Sequence, residues 1–112
     1  MSTINRVNGG TASCTGTGST STATLANRFG KLTTAALTTA AAASHVITLT
    51  NTAVAATDMV FVSVALGTAT TGEPVVGTVT PGAGTLVIQI TNRAAAAAVN
   101  GTLVVSYASF PA

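Results

Sequence analysis

The fold of this chain follows from the stretch Thr85-Leu86-Val87-Ile88-Gln89-Ile90-Thr91. The large aliphatic residues Leu86, Ile88 and Ile90 occupy every second position, which is the period of a strand with one buried face. The tetrapeptide Pro81-Gly82-Ala83-Gly84 comes just before it. Pro presets one position of a tight turn and Gly accepts a positive φ at the next, so the sequence predicts a turn followed by a half-buried strand.

Further strands are predicted on both sides of this stretch. His45-Val46-Ile47-Thr48-Leu49-Thr50 shows the same alternation, and a connection follows it that closes at Asp58. Asn100-Gly101, a pair favoured in type I′ turns, introduces a last strand that we expect inside a sheet. The remaining strand predictions cover residues 31–39, 59–66, 74–80 and 102–110. Many short strands with frequent turn signals predict an all-β fold, an antiparallel β-sandwich or barrel.

The segment Met59-Val60-Phe61-Val62-Ser63-Val64-Ala65-Leu66 is apolar on both faces. A strand of this kind is expected to be covered on both sides, by a second layer of the fold or by another subunit. If it were exposed, such a β-rich apolar segment would favour aggregation. Burial in an assembly would remove that hazard.

Residues 1–28 differ from the rest, because Thr, Ser and Gly dominate and little apolar material is present. Such a stretch cannot build a core by itself. Two interpretations stay open: a flexible tail, or an extended arm that becomes ordered by laying strands on a neighbour. The sequence therefore divides into an N-terminal arm over residues 1–28 and one β-sandwich domain over residues 29–112.

The chain is poor in charge, since only 5% of its 112 residues are charged. Soluble domains carry about 25% charged residues, so we expect an assembly to cover much of this surface. Four scattered basic residues are a weak footprint for nucleic acid, and no apolar run is long enough to span a membrane. The first ten residues contain no apolar signal core, which predicts synthesis in the cytoplasm.

Residues suited to catalysis are scarce. The chain has one His, one Asp and one Glu, well separated, and no metal-ligand spacing, phosphate loop or nucleophile motif. The single Cys14 reads as an incidental thiol, and His45 as a structural residue at a strand edge. We therefore predict no catalytic residues, no metal ligands and no cofactor, and an enzyme is the least expected class.

Four segments together resemble the small structural proteins of tailed bacteriophages, above all the capsid decoration, or cement, proteins. The segments are His45-Val46-Ile47-Thr48-Leu49-Thr50-Asn51-Thr52, Asp58-Met59-Val60-Phe61-Val62-Ser63-Val64, Pro81-Gly82-Ala83-Gly84-Thr85-Leu86-Val87-Ile88 and Asn100-Gly101-Thr102-Leu103-Val104-Val105-Ser106-Tyr107. The resemblance implies a jelly-roll-like sandwich that forms homotrimers on the outer surface of the virion capsid. Its partner would be the major capsid protein, and its work would be to hold the shell against the pressure of packaged DNA. No catalytic residue is implied, nor contact with nucleic acid or membrane.

Under this resemblance, nine residues are candidates for the subunit or capsid interface. Apolar contacts to the core or to another subunit are expected from Phe29, Met59, Phe61, Val62, Val64 and Phe110, and polar contacts to an acidic capsid surface from Arg6, Arg28 and Lys31. A head-fibre or tail accessory protein is the nearest alternative.

A Thr-rich protein that binds ice or carbohydrate is an alternative of a different class. Thr15-Gly16-Thr17 and Thr48-Leu49-Thr50 offer the Thr-x-Thr spacing that an array of threonines needs. The motif does not recur at a fixed period along the chain, as it would in a solenoid.

Overall fold

The computed structural model describes residues 9–111, and within that range it contains eight β-strands and no helix. In chain order the strands are β1 (Gly9–Ser13), β2 (Thr20–Leu25), β3 (Phe29–Thr33), β4 (Ser44–Asn51), β5 (Met59–Leu66), β6 (Pro74–Gly82), β7 (Thr85–Asn92) and β8 (Leu103–Phe110). The prediction of an all-β fold is confirmed.

The strands form two four-stranded sheets. The first sheet has the order β1-β3-β8-β5 and the second the order β2-β4-β7-β6. All neighbouring strands are antiparallel except the two pairs that end the sheets on one side, β1 with β3 and β2 with β4. The chain crosses between the sheets repeatedly, and the inward faces of both sheets share one core, which is the arrangement of a β-sandwich.

The core consists mostly of aliphatic side chains from the central strands. In β4, β7 and β8 every second residue is buried, as the period of two predicts. The largest apolar side chains that are fully buried are Leu32, Leu37, Ile47, Leu49, Leu86, Ile88, Leu103, Val99 and Val105. Because few large side chains fill this core, the removal of any one of them leaves a cavity that its small neighbours cannot close.

Several predictions about strands and turns can be compared directly with the structure. The last strand, β8, lies inside its sheet between β3 and β5, as expected. The turn before β7 is also confirmed: Gly82 pairs with Thr85, and Gly84 adopts a φ of 80° in the two-residue connection. The strand expected at residues 31–39 is shorter, because β3 ends at Thr33.

The prediction of a type I′ turn at Asn100-Gly101 is wrong. Neither residue has a positive φ, and Gly101 instead forms an isolated bridge with Leu37. The side chain of Asn100 accepts hydrogen bonds from the backbone N–H groups of Thr70 and Thr71, at 2.6 and 3.0 Å. The pair therefore joins two loops rather than two adjacent strands.

The interpretation of residues 1–28 as an arm needs revision from Gly9 onward. Residues 9–13 and 20–25 are extended, but they form β1 and β2, which pair in parallel with β3 and β4 of the same chain. Ser21 and Ala23 of β2 and Cys14 after β1 are buried in the sandwich. The neighbouring strands of the same chain supply the apolar contacts that this segment itself lacks. Residues 1–8 lie outside the described residues.

One end of the sandwich is organised by the side chain of Asn92, which is 1% exposed. Its Nδ2 donates to the carbonyl oxygens of Thr39, Ala40 and Ala97 at 3.1, 3.3 and 2.9 Å. Its Oδ1 accepts from the N–H groups of Glu73 and Ala94 at 2.9 and 3.1 Å. A single amide thus satisfies backbone groups from three separate loops.

Candidate functional site

The outer face of the first sheet carries an exposed apolar cluster. The large apolar side chains that are exposed in the described part of the chain are Met59 (54%), Phe61 (60%), Leu66 (49%) and Phe110 (38%). The strand β5 is therefore covered on its inner face only, where Val60, Val62 and Val64 pack against the core. Among residues 9–111 no segment covers the outer face of β5, although the sequence predicts a strand that is covered on both faces.

We define the aromatic face as Phe29, Met59, Phe61 and Phe110. Register brings these residues together from three strands: Met59 pairs with Phe110, and both Phe61 and Phe29 pair with Ala108. The ring of Phe110 lies between the other two, with centroids 5.8 Å from Phe61 and 5.7 Å from Phe29. Interplanar angles of 56° and 55° are typical of favourable tilted aromatic pairs.

Three charged side chains adjoin the aromatic face, namely Lys31 and the ion pair of Arg28 with Asp58, whose residues directly precede β3 and β5. The next registered row holds Ser63, Ser106 and Lys31, and Lys31 is exposed. A shallow depression of about 270 Å³ lies beside Phe61 between β5 and β8. Exposed clusters of large apolar side chains are uncommon on proteins that act as monomers, and they are typical of surfaces that are covered by a partner.

The structure distributes the predicted interface residues over three environments. Phe29, Met59, Phe61 and Phe110 form the aromatic face, and Lys31 lies on the same side of the sheet. Val62 and Val64 point inward and pack against the core. Arg28 forms an ion pair inside the chain, and Arg6 lies outside the described residues.

Asp58, which precedes β5, fixes the base of the aromatic face. Its Oδ2 accepts hydrogen bonds from the Ala55 N–H at 3.0 Å and the Ser109 hydroxyl at 2.8 Å. Arg28 lies 3.4 Å from the same oxygen, with its own side chain 40% exposed and that of Asp58 2% exposed. The backbone bond from Ala55 is the largest cause that lowers the pKa of Asp58, followed by the bond from Ser109 and the charge of Arg28.

We expect the stability of the fold to fall in acid through Asp58. Because its pKa is lower in the folded state, its stabilisation is fully present above the ordinary Asp pKa of about 3.9 and is lost as the pH falls through the lower folded value. The measurement is the urea midpoint across the acid range for the natural chain and for Asp58→Asn. Glu73 is the other acidic side chain and is exposed, so the variant should lose most of the acid dependence. If the urea midpoint of Asp58→Asn falls with decreasing pH as steeply as that of the natural chain, Asp58 is not the source of the acid dependence.

His45 and Ser21 form the one close contact of a base with a hydroxyl in the described residues that resembles part of a catalytic site. The His45 Nε2 lies 2.9 Å from Ser21 Oγ, and Nδ1 lies 2.8 Å from the carbonyl oxygen of Gly18. The Gly18 carbonyl oxygen can only accept, so Nδ1 donates to it, and in a neutral ring Nε2 would accept from the Ser21 hydroxyl. His45 and Ser21 are 1% and 2% exposed, so a substrate cannot reach the hydroxyl.

The same buried group includes Cys14, which precedes β2. Burial raises the pKa of the Cys14 thiol, and a bond with Ser21 opposes this in part. A thiol with a raised pKa is a poor nucleophile at neutral pH. Together Cys14, Ser21 and His45 connect β1 and β2 to β4, which gives them a structural role.

Residues 9–111 contain no cluster of three or more His, Cys, Asp or Glu side chains suited to a metal ion. In the same range no helix is long and apolar enough to cross a membrane. A second surface depression, of about 210 Å³, is lined by small residues including Thr17, Ser19 and Ser44, and none of its lining side chains is ionisable.

Two surface features were missed at the sequence level. Leu66 is exposed at the end of β5, although the sequence predicts that this segment is covered on both faces. The alternation Thr20-x-Thr22-x-Thr24 places three threonines on one side of β2, and its period of two was the available signal.

No family model, curated protein or solved structure matches this chain. The functional inference therefore depends on the fold and its surfaces.

Proposed function

We propose that this chain is a structural protein of a virion, a decoration protein that binds the outer surface of a shell of major capsid protein. The observation that carries the proposal is the aromatic face on a chain with 5% charged residues. An aromatic cluster with few charges is the composition of the buried centre of a protein interface. A chain that works in an assembly covers such a face with its partners.

Self-association into trimers belongs to the same proposal. Phe61 and Met59 are each more than half exposed, so they contribute little to the fold of the single chain and are available to a partner. Each aromatic side chain buries about 150–250 Å² when covered, which makes these residues natural anchors of a contact between copies.

The jelly-roll classification is supported by strand order. The last six strands pair as β3 with β8 and β4 with β7, and β5 contacts β6 at the margin of the sandwich. This is the order of a folded ribbon of three strand pairs wound into two sheets, which is how a jelly roll is built. In this interpretation β1 and β2 are additions in parallel to that ribbon.

The proposal is tested by binding to shells assembled from the major capsid protein encoded in the same genome. We expect the full chain to have three times its 10.8 kDa mass by light scattering and to sediment with the shells at saturating stoichiometry. The double variant Met59→Ser with Phe61→Ser should stay folded, since exposed substitutions usually change stability by about 0.5 kcal/mol or less, and should lose both properties.

The matched control is Val87→Ser, which removes an apolar side chain from the outer face of the other sheet. It should keep the mass and the shell binding of the natural chain. A natural chain that is monomeric and does not bind shells would overturn the proposal. Antibody labelling of tails or fibres on intact particles would instead assign the head-fibre or tail alternative.

A truncation of residues 1–28 is not a clean test of binding. It would remove β1 and β2 together with the buried side chains of Cys14, Ser21 and Ala23. We expect loss of folding, which would abolish binding for reasons unrelated to an interface.

A further inference from the structure

Three polar residues that border the aromatic face meet at one carboxylate oxygen. Asp58 Oδ2 accepts from the Ser109 hydroxyl at 2.8 Å and lies 3.4 Å from Arg28 Nη1. Each of these three residues is followed directly in the chain by a residue of the aromatic face. The carboxylate therefore connects the ends of β3, β5 and β8, the three strands that carry this face.

The ladder of backbone hydrogen bonds stops at this end of the first sheet. Met59 pairs with Phe110 in the last registered row of β5 and β8, and the Ser109 N–H donates to the Arg28 carbonyl oxygen at 2.8 Å. Strand ends open more readily than strand centres, because fewer contacts hold them. A carboxylate that joins three strand ends limits this opening and so sets where the side chains of the aromatic face lie.

The carboxylate is buried, whereas its cation reaches water. The side chain of Asp58 is 2% exposed and Ser109 is 0% exposed, but the side chain of Arg28 is 40% exposed. Protonation of Asp58 would remove the charge that holds Arg28 and would weaken the charge-assisted hydrogen bonds from Ser109 and from the Ala55 N–H. Arg28 could then turn into the solvent, and the three strand ends would lose their common connection.

Among residues 9–111, Asp58 is the acidic group at this end of the sandwich. Its charged neighbour is Arg28, while Lys31 lies on the outer face of β3 and the buried Tyr107 donates its hydroxyl to a backbone carbonyl oxygen. The remaining ionisable side chains of this range lie toward the opposite ends of the strands: Cys14, His45, Glu73 and Arg93. Titration in the acid range therefore acts on the aromatic face through Asp58.

We propose that Asp58 is a positioning residue for the aromatic face, and that its protonation releases this face so that copies joined through it separate in acid. The separation of copies rests on the proposed self-association, whereas the arrangement of the rings can be observed in the single chain. Because protonation and association are linked, association in turn favours the charged form of Asp58.

The first experiment follows the contacts between rings by NMR in the full chain with labelled phenylalanine. The chain has 3 Phe, and all of them lie in the aromatic face, so every Phe signal reports on this site. At neutral pH we expect through-space contacts from Phe110 to Phe29 and Phe61, whose ring centroids lie 5.7 and 5.8 Å away. These contacts should be lost as the pH falls through the folded pKa of Asp58, which lies below the ordinary value of about 3.9. The circular dichroism spectrum of the sheets should persist at that pH.

Arg28→Met removes the cation and keeps most of the length of the side chain. The bond from Ala55 is the largest cause that lowers the pKa of Asp58, and the bond from Ser109 and the charge of Arg28 add to it. Without Arg28 the pKa of Asp58 should rise part of the way to its ordinary value. The loss of ring contacts and of the trimer mass should therefore move to higher pH, and Arg28→Lys should restore part of this shift. Asp58→Asn should remove the pH dependence of both quantities.

The matched control is Arg93→Met, which removes an equal charge from an exposed position at the other end of the sandwich and should keep the natural pH profile. Identical profiles for the natural chain and Arg28→Met would overturn the proposal. So would ring contacts that persist after the carboxyl signal of Asp58 shows it to be protonated. A natural chain that is monomeric at neutral pH would contradict the self-association and with it the separation in acid, and the ring contacts decide the role of Asp58 in either case.

Discussion

Asn92→Ala should lower the free energy of unfolding by about 3–5 kcal/mol, because five backbone groups around a buried amide lose their partner at once and each one that is shielded from water costs about 1–3 kcal/mol. The amide of Asn92 bonds to the backbone of Thr39, Ala40, Glu73, Ala94 and Ala97. At roughly 4 °C per kcal/mol for a chain of this size, the melting temperature should fall by about 12 °C or more. Thermal and urea unfolding followed by circular dichroism measure both quantities.

Asn100→Ala is the matched control. This amide also joins loops, through Thr70 and Thr71, but its side chain is exposed. Water can replace its bonds, so the expected cost is about 0.5–1.5 kcal/mol. Equal effects of the two substitutions would mean that the Asn92 site is hydrated and that the three loops do not depend on it.

The sequence predicts best the strands that alternate most strictly. β4, β7 and β8 each bury every second residue, and the aliphatic residues at those positions identify the buried face. The turn at Gly84 was equally clear, because a positive φ there requires a residue without a Cβ. In these strands local pattern and tertiary burial agree.

β1 and β2 could not be predicted from composition, because their burial comes from neighbours. Ser21 is 2% exposed only because His45 lies beside it, and Ala23 is buried against β4. A segment of Thr, Ser and Gly has no apolar signal of its own. Its parallel pairing connects residues twenty or more positions apart, which no local pattern records.

The sequence singles out the residues of the aromatic face but not their grouping. Four of the nine candidate residues meet in the aromatic face, because register brings distant strands together. The inward direction of Val62 and Val64 was not predicted, since a segment that is apolar on both faces gives no alternation from which to choose a side. The hydrogen-bonded contact of Asn51 with Tyr107, 56 positions apart, has no sequence signal.

Ile88→Ala should cost about 2–5 kcal/mol of unfolding free energy, the range for removing a large aliphatic side chain from a packed core. Ile88 is 0% exposed in β7 and is registered between Ile47 and Val79. The surrounding side chains are anchored in two sheets and cannot collapse fully into the space left. The urea midpoint should fall while the dependence of free energy on urea stays constant.

Val87→Ala, one position earlier in β7, is the control for Ile88→Ala and reports whether the outer side of the strand is covered. Val87 points to the opposite side of β7 and is half-buried in the single chain, so it should cost under about 1 kcal/mol if that side faces water. A cost equal to that of Ile88→Ala would mean that a second copy covers the outer face of the second sheet, because only a covered side chain carries a cavity penalty. The contact between copies would then lie on the second sheet. A small cost would mean that the outer face of the second sheet is open to water and that the aromatic face is the surface to be covered.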